Sequence, residues 1–476
     1  MIGGLAFTLL ANRIRMPALV VFIGVGMAIG SDGLGLVNFS DFELAQQIGI
    51  VALVLILFEG GLSAGFSTIR PVMGPALSLA TIGTLGTALI TGAAATWLFD
   101  LTFLEGLLLG SVIASTDAAA VFSILRGSTL RRRIAATLEG EAGFNDPIAV
   151  ILVVGFIAWI QEPDQGAGQM AVLLVQSLAV GGLTGLAVGR LGLLLMEKVR
   201  FQSAGLYPVA SVAIAAIAFG AAQQLGGSGF LAVYLAGLSL ASPRNPVLRT
   251  IETFQAGLAW LAQIGMFLML GLLVFPSQLP DIALEGFALA LVVALLARPV
   301  ATWVATIGQG FSPADRLTIG WAGLRGAVPT VLATFAVVEG VERGFEFFNI
   351  VFFAVIISVL FQGMTLTPVA RRLGSTTNES AIPLPLTSER AVKRLGAETI
   401  EFQVKPGDTI VGLSVSQLGM SKHALLTLVV RQDSAILPRG DTEILAGDLL
   451  EIIVRQEAAI ELRDQLRDWR HGSGAS

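Results

Sequence analysis

Two aspartates lie deep within apolar stretches of this chain, where acidic side chains are rare. Asp117 stands in SVIASTDAAAVFSIL, and Asp146 stands in EAGFNDPIAVILVVGFIAWI. A carboxylate near the middle of a bilayer costs at least about 2.5–3.5 kcal/mol, so an acid at that depth usually has a function. Two such acids on neighbouring membrane segments could hold a cation or a proton. The pattern therefore indicates ion transport.

The residues around Asp146 supply further oxygen atoms. In Asn145-Asp146-Pro147 the proline has no N–H, so the carbonyl of Gly143 loses its helical donor. A free carbonyl beside a carboxylate and an amide forms a hard oxygen site, which suits alkali cations and protons better than soft metals. The predicted binding set for a monovalent cation or a proton comprises Asp146, Asp117, Thr116, Asn145 and Gly143.

Other charged residues in apolar segments are predicted to support this site. Glu141 precedes Asp146 by about one helical turn, and the residues alone allow a fixed ion pair with either Arg298 or Arg325. We favour that pairing over a direct role of Glu141 in transport. Glu59, in LILFEGGL, is open to two interpretations, a residue of the access path or a charge at a helix end.

Two segments are predicted to be interrupted helices. Segment 103–124 contains Thr116 and Asp117, and segment 317–336 contains Arg325 with glycines at 323 and 326 and proline at 329. They lie at comparable places in the two halves of the chain, as in transporters built from inverted repeats. We therefore expect a crossed pair of discontinuous helices.

Composition places most of the chain in a membrane. Of its 476 residues, 54% are hydrophobic and 13% charged, whereas soluble domains have about 25% charged residues. The absence of cysteine excludes disulfides and thiolate metal sites. Both histidines, His423 and His471, follow the last apolar segment, so a proton crossing the membrane must use a carboxylate or water.

About 13 apolar segments are predicted as membrane helices, several of them shorter than the roughly 20 residues of a full span. They are 1–12, 17–30, 44–62, 75–97, 103–124, 136–160, 171–196, 206–225, 229–241, 253–274, 282–307, 317–336 and 347–369. Basic residues concentrate in alternate loops, and only Arg343 departs from this sorting. By the positive-inside rule the N-terminus is outside, and everything after Arg371 is cytoplasmic.

The character of the chain changes after the last apolar segment. We predict a membrane domain over 1–372, a polar linker over 373–392, a small domain over 393–470 and a flexible tail over 471–476. In the small domain, ETIEFQV, ALLTLVV and DLLEIIV are typical of strands, and AAIELRDQLRDW is typical of an amphipathic helix. The predicted fold is thus an all-α polytopic membrane protein with a small cytoplasmic α/β domain.

Five motifs in their order resemble the NhaP-type branch of the monovalent cation/proton antiporters over nearly the whole chain. They are STDAAAVFS, EAGFNDP, GLAWLAQIGMFLMLGLLV, ARP and WAGLRGAVP. The resemblance implies that Thr116-Asp117 lies on an unwound helix, Asn145-Asp146 on the next helix, and Arg325 on the other interrupted helix. It also implies that Glu141 is paired with an arginine, for which Arg298 is the first choice. The family fold implies a homodimer with a dimerisation domain and a moving core domain in each protomer.

The C-terminal domain resembles the TrkA-C regulatory domain, and together with STDAAAVFS it resembles the potassium/proton subgroup. Some sodium/proton members have a serine directly after the glutamate, whereas this chain has Ala142 and so lacks that hydroxyl ligand. A small regulatory ligand at a dimer interface and a purely packing role are both open for this domain.

The predicted function is secondary antiport of a monovalent cation, with K⁺ favoured, against H⁺ by alternating access at the Asp146 site. Asn145 stands in place of a second acid, so we expect electroneutral exchange. The expected setting is a bacterial inner membrane, with a homodimer in lipid and with neither cofactor nor nucleic acid.

Four alternatives to this prediction differ in the sequence features that they require. A Na⁺/H⁺ antiporter of the same fold is the nearest. A regulated cation channel would usually need a filter such as TVGYG, which is missing. A membrane enzyme is disfavoured because P-loop and HExxH motifs are missing. The acidic residues argue against a sensor that has lost transport.

Overall fold

The computed structural model describes residues 18–117, 130–162, 166–199, 203, 205–242, 245, 247–377, 397–431 and 434–471. The chain divides into two compact units, Met1–Ile382 and Pro383–Ser476. The first predicted helix, 1–12, residues 118–124 of segment 103–124 and the predicted tail after His471 lie outside the described residues.

The first unit is mainly helical in its described part. Its helices are α1 Ala18–Ile29, α2 Phe42–Ala64, α3 Arg70–Leu98, α4 Phe103–Ala114, α5 Arg132–Gln161, α6 Ala167–Lys198, α7 Leu206–Gln224, α8 Gly229–Leu240, α9 Leu248–Leu272, α10 Pro276–Ala305, α11 Pro313–Trp321, α12 Ala327–Val338 and α13 Gly344–Arg372. Helices α3, α10 and α13 each contain a π-helical turn, at Leu79–Gly83, Val293–Ala297 and Val359–Gly363. The turn in α10 directly precedes Arg298-Pro299, where proline cannot donate to the helical ladder.

Eight of these helices are long and apolar enough to cross a membrane, judged by length and composition within the described residues. They are α2, α3, α5, α6, α7, α9, α10 and α13, and α1, α4, α8 and α12 contain shorter apolar helices. The polytopic, mostly helical fold predicted from the apolar segments is therefore confirmed. The count of thirteen spans and the inverted repeats stay predictions.

Two interruptions of the helical pattern position the candidate site. Predicted segment 317–336 is two helices, α11 and α12, separated by residues 322–326. Helix α4 ends at Ala114, and Ser115 has extended backbone angles, with φ −60° and ψ 136°. By contrast, α5 passes through Pro147 as one helix of 30 residues.

Helix α5 is enclosed by protein over the part that carries its acids. Every residue from Ile134 to Ala149 is buried, whereas α6 buries only Gly181, Gly185, Gly189, Gly192 and Met196. Glu141 and Asp146 therefore face other helices rather than lipid, which is where intramembrane acids are tolerated.

The residues that follow α13 are tied back to the starts of α5 and α11. Leu130 pairs with Thr376 in an isolated β-bridge, and Arg131 N donates to Ser375 O at 3.1 Å. The Arg131 guanidinium bonds Asp315 Oδ1 at 3.0 Å and Gly374 O at 2.6 Å. Ser375 Oγ also donates to Asp315 Oδ1, at 3.2 Å. We call Arg131, Asp315 and Ser375 the Arg131–Asp315–Ser375 cluster.

The second unit contains a four-stranded antiparallel sheet. Its elements are β1 Ala397–Gln403, β2 Ala424–Arg431, β3 Ser434–Ile436, β4 Leu449–Arg455 and α14 Ala459–His471, with sheet order β1-β4-β2-β3. Leu462, Leu466 and Trp469 of α14 are buried in the same core as Leu450 and Ile452 of β4. The three strands and the amphipathic helix predicted from sequence are confirmed, and β3 is an addition.

An ion pair holds the loop before β4 against β2. Arg431 Nε and Nη2 donate to Asp448 Oδ1 and Oδ2, each at 2.8 Å, and Leu445 N donates to Oδ2 at 2.8 Å. Burial raises the pKa of Asp448, but these hydrogen bonds outweigh burial and hold that pKa below its usual value. The ionised form therefore stabilises the folded unit at neutral pH.

Asp448→Asn is expected to destabilise this unit by about 1–3 kcal/mol, because it removes the charge that the Arg431 guanidinium and Leu445 N contact. A depressed folded-state pKa gives stability that is present above the unfolded pKa of about 3.9 and is lost as pH falls through the folded value. The wild type should therefore lose part of its amide exchange protection in β2 and β4 under acid, and the variant should show that reduced protection already at pH 7. Asp441→Asn, at an exposed loop position, is the matched control. Equal protection in both variants would contradict the assignment.

Candidate functional site

The ends of α4 and α12 meet at the two helix interruptions. Asp117 N donates to Leu324 O at 2.9 Å, which places the residues after α4 beside those between α11 and α12. Arg325 Nη1 donates to the carbonyls of Ala114 at 2.7 Å and Ser115 at 2.9 Å. The last carbonyls of a helix lack helical donors and form the negative end of its dipole. Arg325 is therefore a charged cap on the C-terminus of α4.

Asp117 makes the reciprocal contact. Its Oδ2 accepts a hydrogen bond from Ala327 N, the first residue of α12, at 3.0 Å. The N-terminus of a helix is the positive end of its dipole, so a buried carboxylate is favourable there. Each interruption thus supplies a charged side chain to a helix end at the other interruption. The Arg325 guanidinium contacts the C-terminus of α4, and the Asp117 carboxylate contacts the N-terminus of α12.

Gly326 leaves room for the Asp117 carboxylate. A Cβ added at Gly326 would lie 1.7 Å from Asp117 Oδ2 and 2.5 Å from its carboxyl carbon. Either the carboxylate or the backbone before α12 would have to move. The sequence indicated Gly326 as a residue that weakens the helix, and the structure shows that glycine is needed there because the Asp117 carboxylate lies so close to its backbone.

Gly326→Ala is expected to destabilise the first unit by about 1–3 kcal/mol, the usual cost of forcing extra atoms into a close-packed interior. The measurement is thermal unfolding of the purified protein in detergent. Gly265→Ala on α9 is the matched control, because a Cβ there meets nothing within 4 Å and alanine favours a helix. Equal melting temperatures for the two variants would show that the Asp117 carboxylate can move without cost.

Asp146 lies against the interruption after α4. Its Oδ1 accepts a hydrogen bond from Ser115 Oγ at 2.8 Å, and the side chain is 2% exposed. Its Oδ2 is buried and has no hydrogen-bond partner among the described residues. A buried carboxylate oxygen without a donor is costly unless a proton or a cation occupies it.

Asn145 joins the same two elements. Its Nδ2 donates to Thr116 Oγ1, and its Oδ1 is buried without a partner among the described residues. The structure therefore brings Thr116, Asn145 and Asp146 together, with two unpartnered side-chain oxygens on adjacent residues of α5. Asp117 directly follows Thr116 in the chain, and its Oδ2 lies at the start of α12. Gly143 packs under the ring of Tyr234, where a Cβ would lie 2.2 Å from ring carbons, and its role as a ligand stays a prediction.

Glu141 and Arg298 form a buried ion pair. Arg298 Nη2 donates to Glu141 Oε2 at 2.6 Å, and both side chains are 1% exposed. Gly323 gives the guanidinium space, since a Cβ there would lie 2.4 Å from Arg298 Nε. Of the two arginines left open by the residues alone, Arg298 is the partner, while Arg325 contacts the α4 carbonyls. Glu59 is buried near the end of α2 and accepts a hydrogen bond from Ser63 Oγ at 2.7 Å, which fits both interpretations of its role.

The charges of this cluster do not balance. Three buried carboxylates, Asp117, Glu141 and Asp146, and two buried guanidinium groups, Arg298 and Arg325, lie at the interruptions or on the helix beside them. Counted apart from the other buried acids, Glu59 and Glu139, these five groups sum to −1 when all are ionised. One monovalent cation or one proton would bring the sum to zero. Three buried side-chain oxygens on this part of α5 have no hydrogen-bond partner among the described residues, namely Asp146 Oδ2, Asn145 Oδ1 and Glu141 Oε1. Glu141 is already paired with Arg298, so Asp146 Oδ2 and Asn145 Oδ1 are the candidates for holding that charge.

Sequence reasoning missed three polar residues that hold the site. Ser115 donates to Asp146, and Ser358 Oγ accepts from Arg325 N at 3.0 Å and donates to Gln362 Oε1 at 2.6 Å. Ser115 adjoins the Thr116-Asp117 motif. Ser358 and Gln362 are four residues apart in an apolar helix, a spacing that would have indicated a shared polar face.

Comparison with known proteins gives two family matches. The family described as "Sodium/hydrogen exchanger, transmembrane" matches residues 2–372, and the TrkA-C domain matches residues 399–467.

Curated relatives cover most of the chain. The K(+)/H(+) antiporter NhaP2 of Shewanella baltica is 38% identical over 460 residues, 96% of this chain and 80% of the relative. The K(+)/H(+) antiporter NhaP of Alkalimonas amylolytica is 43% identical over 451 residues, 94% of this chain and 78% of the relative. The Na(+)/H(+) antiporter NhaH of Halobacillus dabanensis is 26% identical over 389 residues, 77% of this chain and 94% of the relative.

A solved structure has the same fold. The sodium proton antiporter MjNhaP1 from Methanocaldococcus jannaschii aligns with a TM-score of 0.67 at 22% identity, over 78% of this chain and 96% of that one. At this identity the likeness concerns the fold alone.

Proposed function

Since this chain belongs to the sodium/hydrogen exchanger family and carries a TrkA-C domain, we propose that it is an antiporter that exchanges K⁺ for H⁺ across a membrane. The preference for K⁺ is supported by relatives named K(+)/H(+) antiporters that match nearly the whole chain. Na⁺/H⁺ exchange is the second candidate, favoured by the more distant NhaH match.

The observation that carries the proposal is that the five buried groups at the interruptions sum to −1 when all are ionised. Moving a bare charge through the low-dielectric barrier is costly, so the empty core is held back. Either one K⁺ or one H⁺ at Asp146 cancels the charge and lets the loaded core change its access. Because both occupants need the same carboxylate, they compete, and exchange follows without a separate coupling device.

Asp146 Oδ2 and Asn145 Oδ1 are the proposed primary ligands, because both are buried oxygens without a donor in the described structure. Thr116 and the Gly143 carbonyl would complete the set predicted from sequence. Asp117, whose Oδ2 accepts from the start of α12, would act on the ion mainly through its charge. The Glu141–Arg298 pair and Arg325 would set the field around the site, and Glu59 would line or flank the access path.

The proposed assembly follows the loop charges and the family resemblance. It is a homodimer in the bacterial inner membrane, with about 13 spans in inverted repeats, the N-terminus outside and the C-terminal domain in the cytoplasm. We propose domain limits of 1–372 and 393–470 with a linker over 373–392, one-for-one electroneutral exchange, and regulation through a small ligand of the TrkA-C domain.

The test is counter-flow in proteoliposomes that contain the full chain and a pH dye. A pulse of external K⁺ should drive H⁺ out of the vesicles. The rate should saturate with K⁺ concentration and should not depend on an imposed membrane potential. Na⁺, Li⁺ and Rb⁺ pulses rank selectivity, and protein-free liposomes set the background. Potential-driven K⁺ currents without proton movement would support a channel and contradict antiport.

A further inference from the structure

Ser115 presents its hydroxyl to Asp146 from the interruption after α4. Its Oγ donates to Asp146 Oδ1 at 2.8 Å, and the residue is fully buried. Because α4 ends at Ala114 and Ser115 is extended, the hydroxyl does not return to its own helix, as that of Ser111 does by donating to Leu107 O at 2.8 Å. The hydroxyl of Ser115 is thus directed at the neighbouring helix.

The other polar groups of residues 114–117 discussed below have structural partners. The carbonyls of Ala114 and Ser115 accept from Arg325, and Thr116 Oγ1 accepts from Asn145. The Asp117 carboxylate accepts from the first N–H of α12. Of these groups, the Ser115 hydroxyl is the one whose described contact is with Asp146 itself.

Helix α5 provides no hydroxyl of its own near the carboxylate. Position 142, one turn before Asp146, is a buried alanine. The last hydroxyl before it, Thr137, donates back to Arg133 O at 2.8 Å. From Leu138 to Ile160 the helix contains neither serine nor threonine. A hydroxyl ligand at this site has to come from another element.

We propose that Ser115 is an ion-binding residue whose hydroxyl donates to Asp146 when the site is empty and coordinates K⁺ when the site is occupied, an inference that rests on the proposed function. A hydroxyl has one donor and two acceptor lone pairs. Toward the empty carboxylate it donates its hydrogen. When K⁺ binds between Asp146 Oδ2 and Asn145 Oδ1, the O–H bond rotates and a lone pair of Oγ coordinates the ion. This change needs only rotation about the Cβ–Oγ bond, so the backbone stays in place.

The experiment compares Ser115→Ala, Ser115→Thr and Ser111→Ala in the proteoliposome assay. Ser115→Ala should raise the KM for K⁺ about tenfold, with maximal rate within about twofold, as expected for losing one polar contact to a charged group. Ser115→Thr keeps the hydroxyl and should restore a KM near that of the wild type. Ser111→Ala makes the same chemical change one turn earlier on α4 and should leave KM unchanged.

Two outcomes overturn the proposal. In the first, the KM for K⁺ of Ser115→Ala equals that of Ser111→Ala. In the second, the KM for K⁺ rises equally in Ser115→Ala and Ser115→Thr, which would indicate that the Ser115 side chain only fills space. If Ser115→Ala shows no exchange, K⁺ binding is measured instead, as the K⁺ concentration that gives half-maximal thermal stabilisation of the purified chain. The proposal predicts that this concentration rises roughly tenfold in Ser115→Ala. An unchanged concentration would contradict the proposal. Absence of exchange in the wild type would instead refute the proposed function.

Discussion

Asp146→Asn is expected to abolish cation-dependent proton flux while the protein still folds. The amide has nearly the shape of the carboxylate and can still accept from Ser115, so the packing of α5 against the α4 interruption should persist. The five-group cluster, however, changes from −1 to a permanent sum of zero. A neutral side chain neither binds and releases a proton nor attracts K⁺, so both half-reactions are lost. The measurement is the K⁺-driven pH change in proteoliposomes.

The matched control for this variant is Asp281→Asn, the same substitution at an exposed position outside the apolar part of α10. It should exchange at the wild-type rate. Size-exclusion profile and melting temperature should agree among wild type and both variants. Proton flux that still depends on K⁺ in Asp146→Asn would remove this residue from its proposed role.

Arg298→Met is expected to give the largest loss of stability, about 3–5 kcal/mol, because it leaves the Glu141 carboxylate charged and buried without its partner. Glu141 Oε1 already has no hydrogen-bond partner among the described residues, so no second donor is in place to compensate. The measurement is thermal unfolding in detergent. Arg298→Lys, which keeps a positive charge but not the planar donor array, should lose less.

Two further variants test whether the loss of stability comes from leaving a buried charge without its partner or simply from removing one arginine. Arg467→Met breaks an exposed pair with Asp464, whose side chains are 79% and 65% exposed, and should cost at most about 1 kcal/mol. Adding Glu141→Met to Arg298→Met removes both buried charges and should recover part of the melting temperature. Equal losses for Arg298→Met and Arg467→Met would mean that Glu141 is neutral in the folded protein.

The sequence predicted the features that depend on local pattern. Apolar segments gave helices such as α2 and α7 within a few residues, and strand patterns gave β1, β2 and β4. Glycine at 323 and 326 indicated the interruption between α11 and α12. In each case the physical signal, hydropathy or backbone freedom, lies within the segment itself.

The remaining features depend on which helix ends meet. Arg325 lies 211 residues from Ala114, and nothing within either segment indicates that the guanidinium caps α4. The residues alone could not choose between Arg298 and Arg325 as the partner of Glu141, and the choice came from the family resemblance. Asp117 was predicted as an ion ligand, whereas its described hydrogen bond is to a helix N-terminus, a contact that only the folded arrangement defines.

The Arg131–Asp315–Ser375 cluster has a mechanical consequence. Arg131 immediately precedes the helix that carries Asp146, Asp315 lies in the first turn of the helix that leads to Arg325, and Ser375 follows the last membrane helix. A force acting on the chain at Thr376 would therefore reach the starts of α5 and α11 directly through these contacts, as well as α13 through the backbone. A chain shortened to residue 372, where the exchanger match ends, would lose this joint and leave the Arg131–Asp315 pair without its third member.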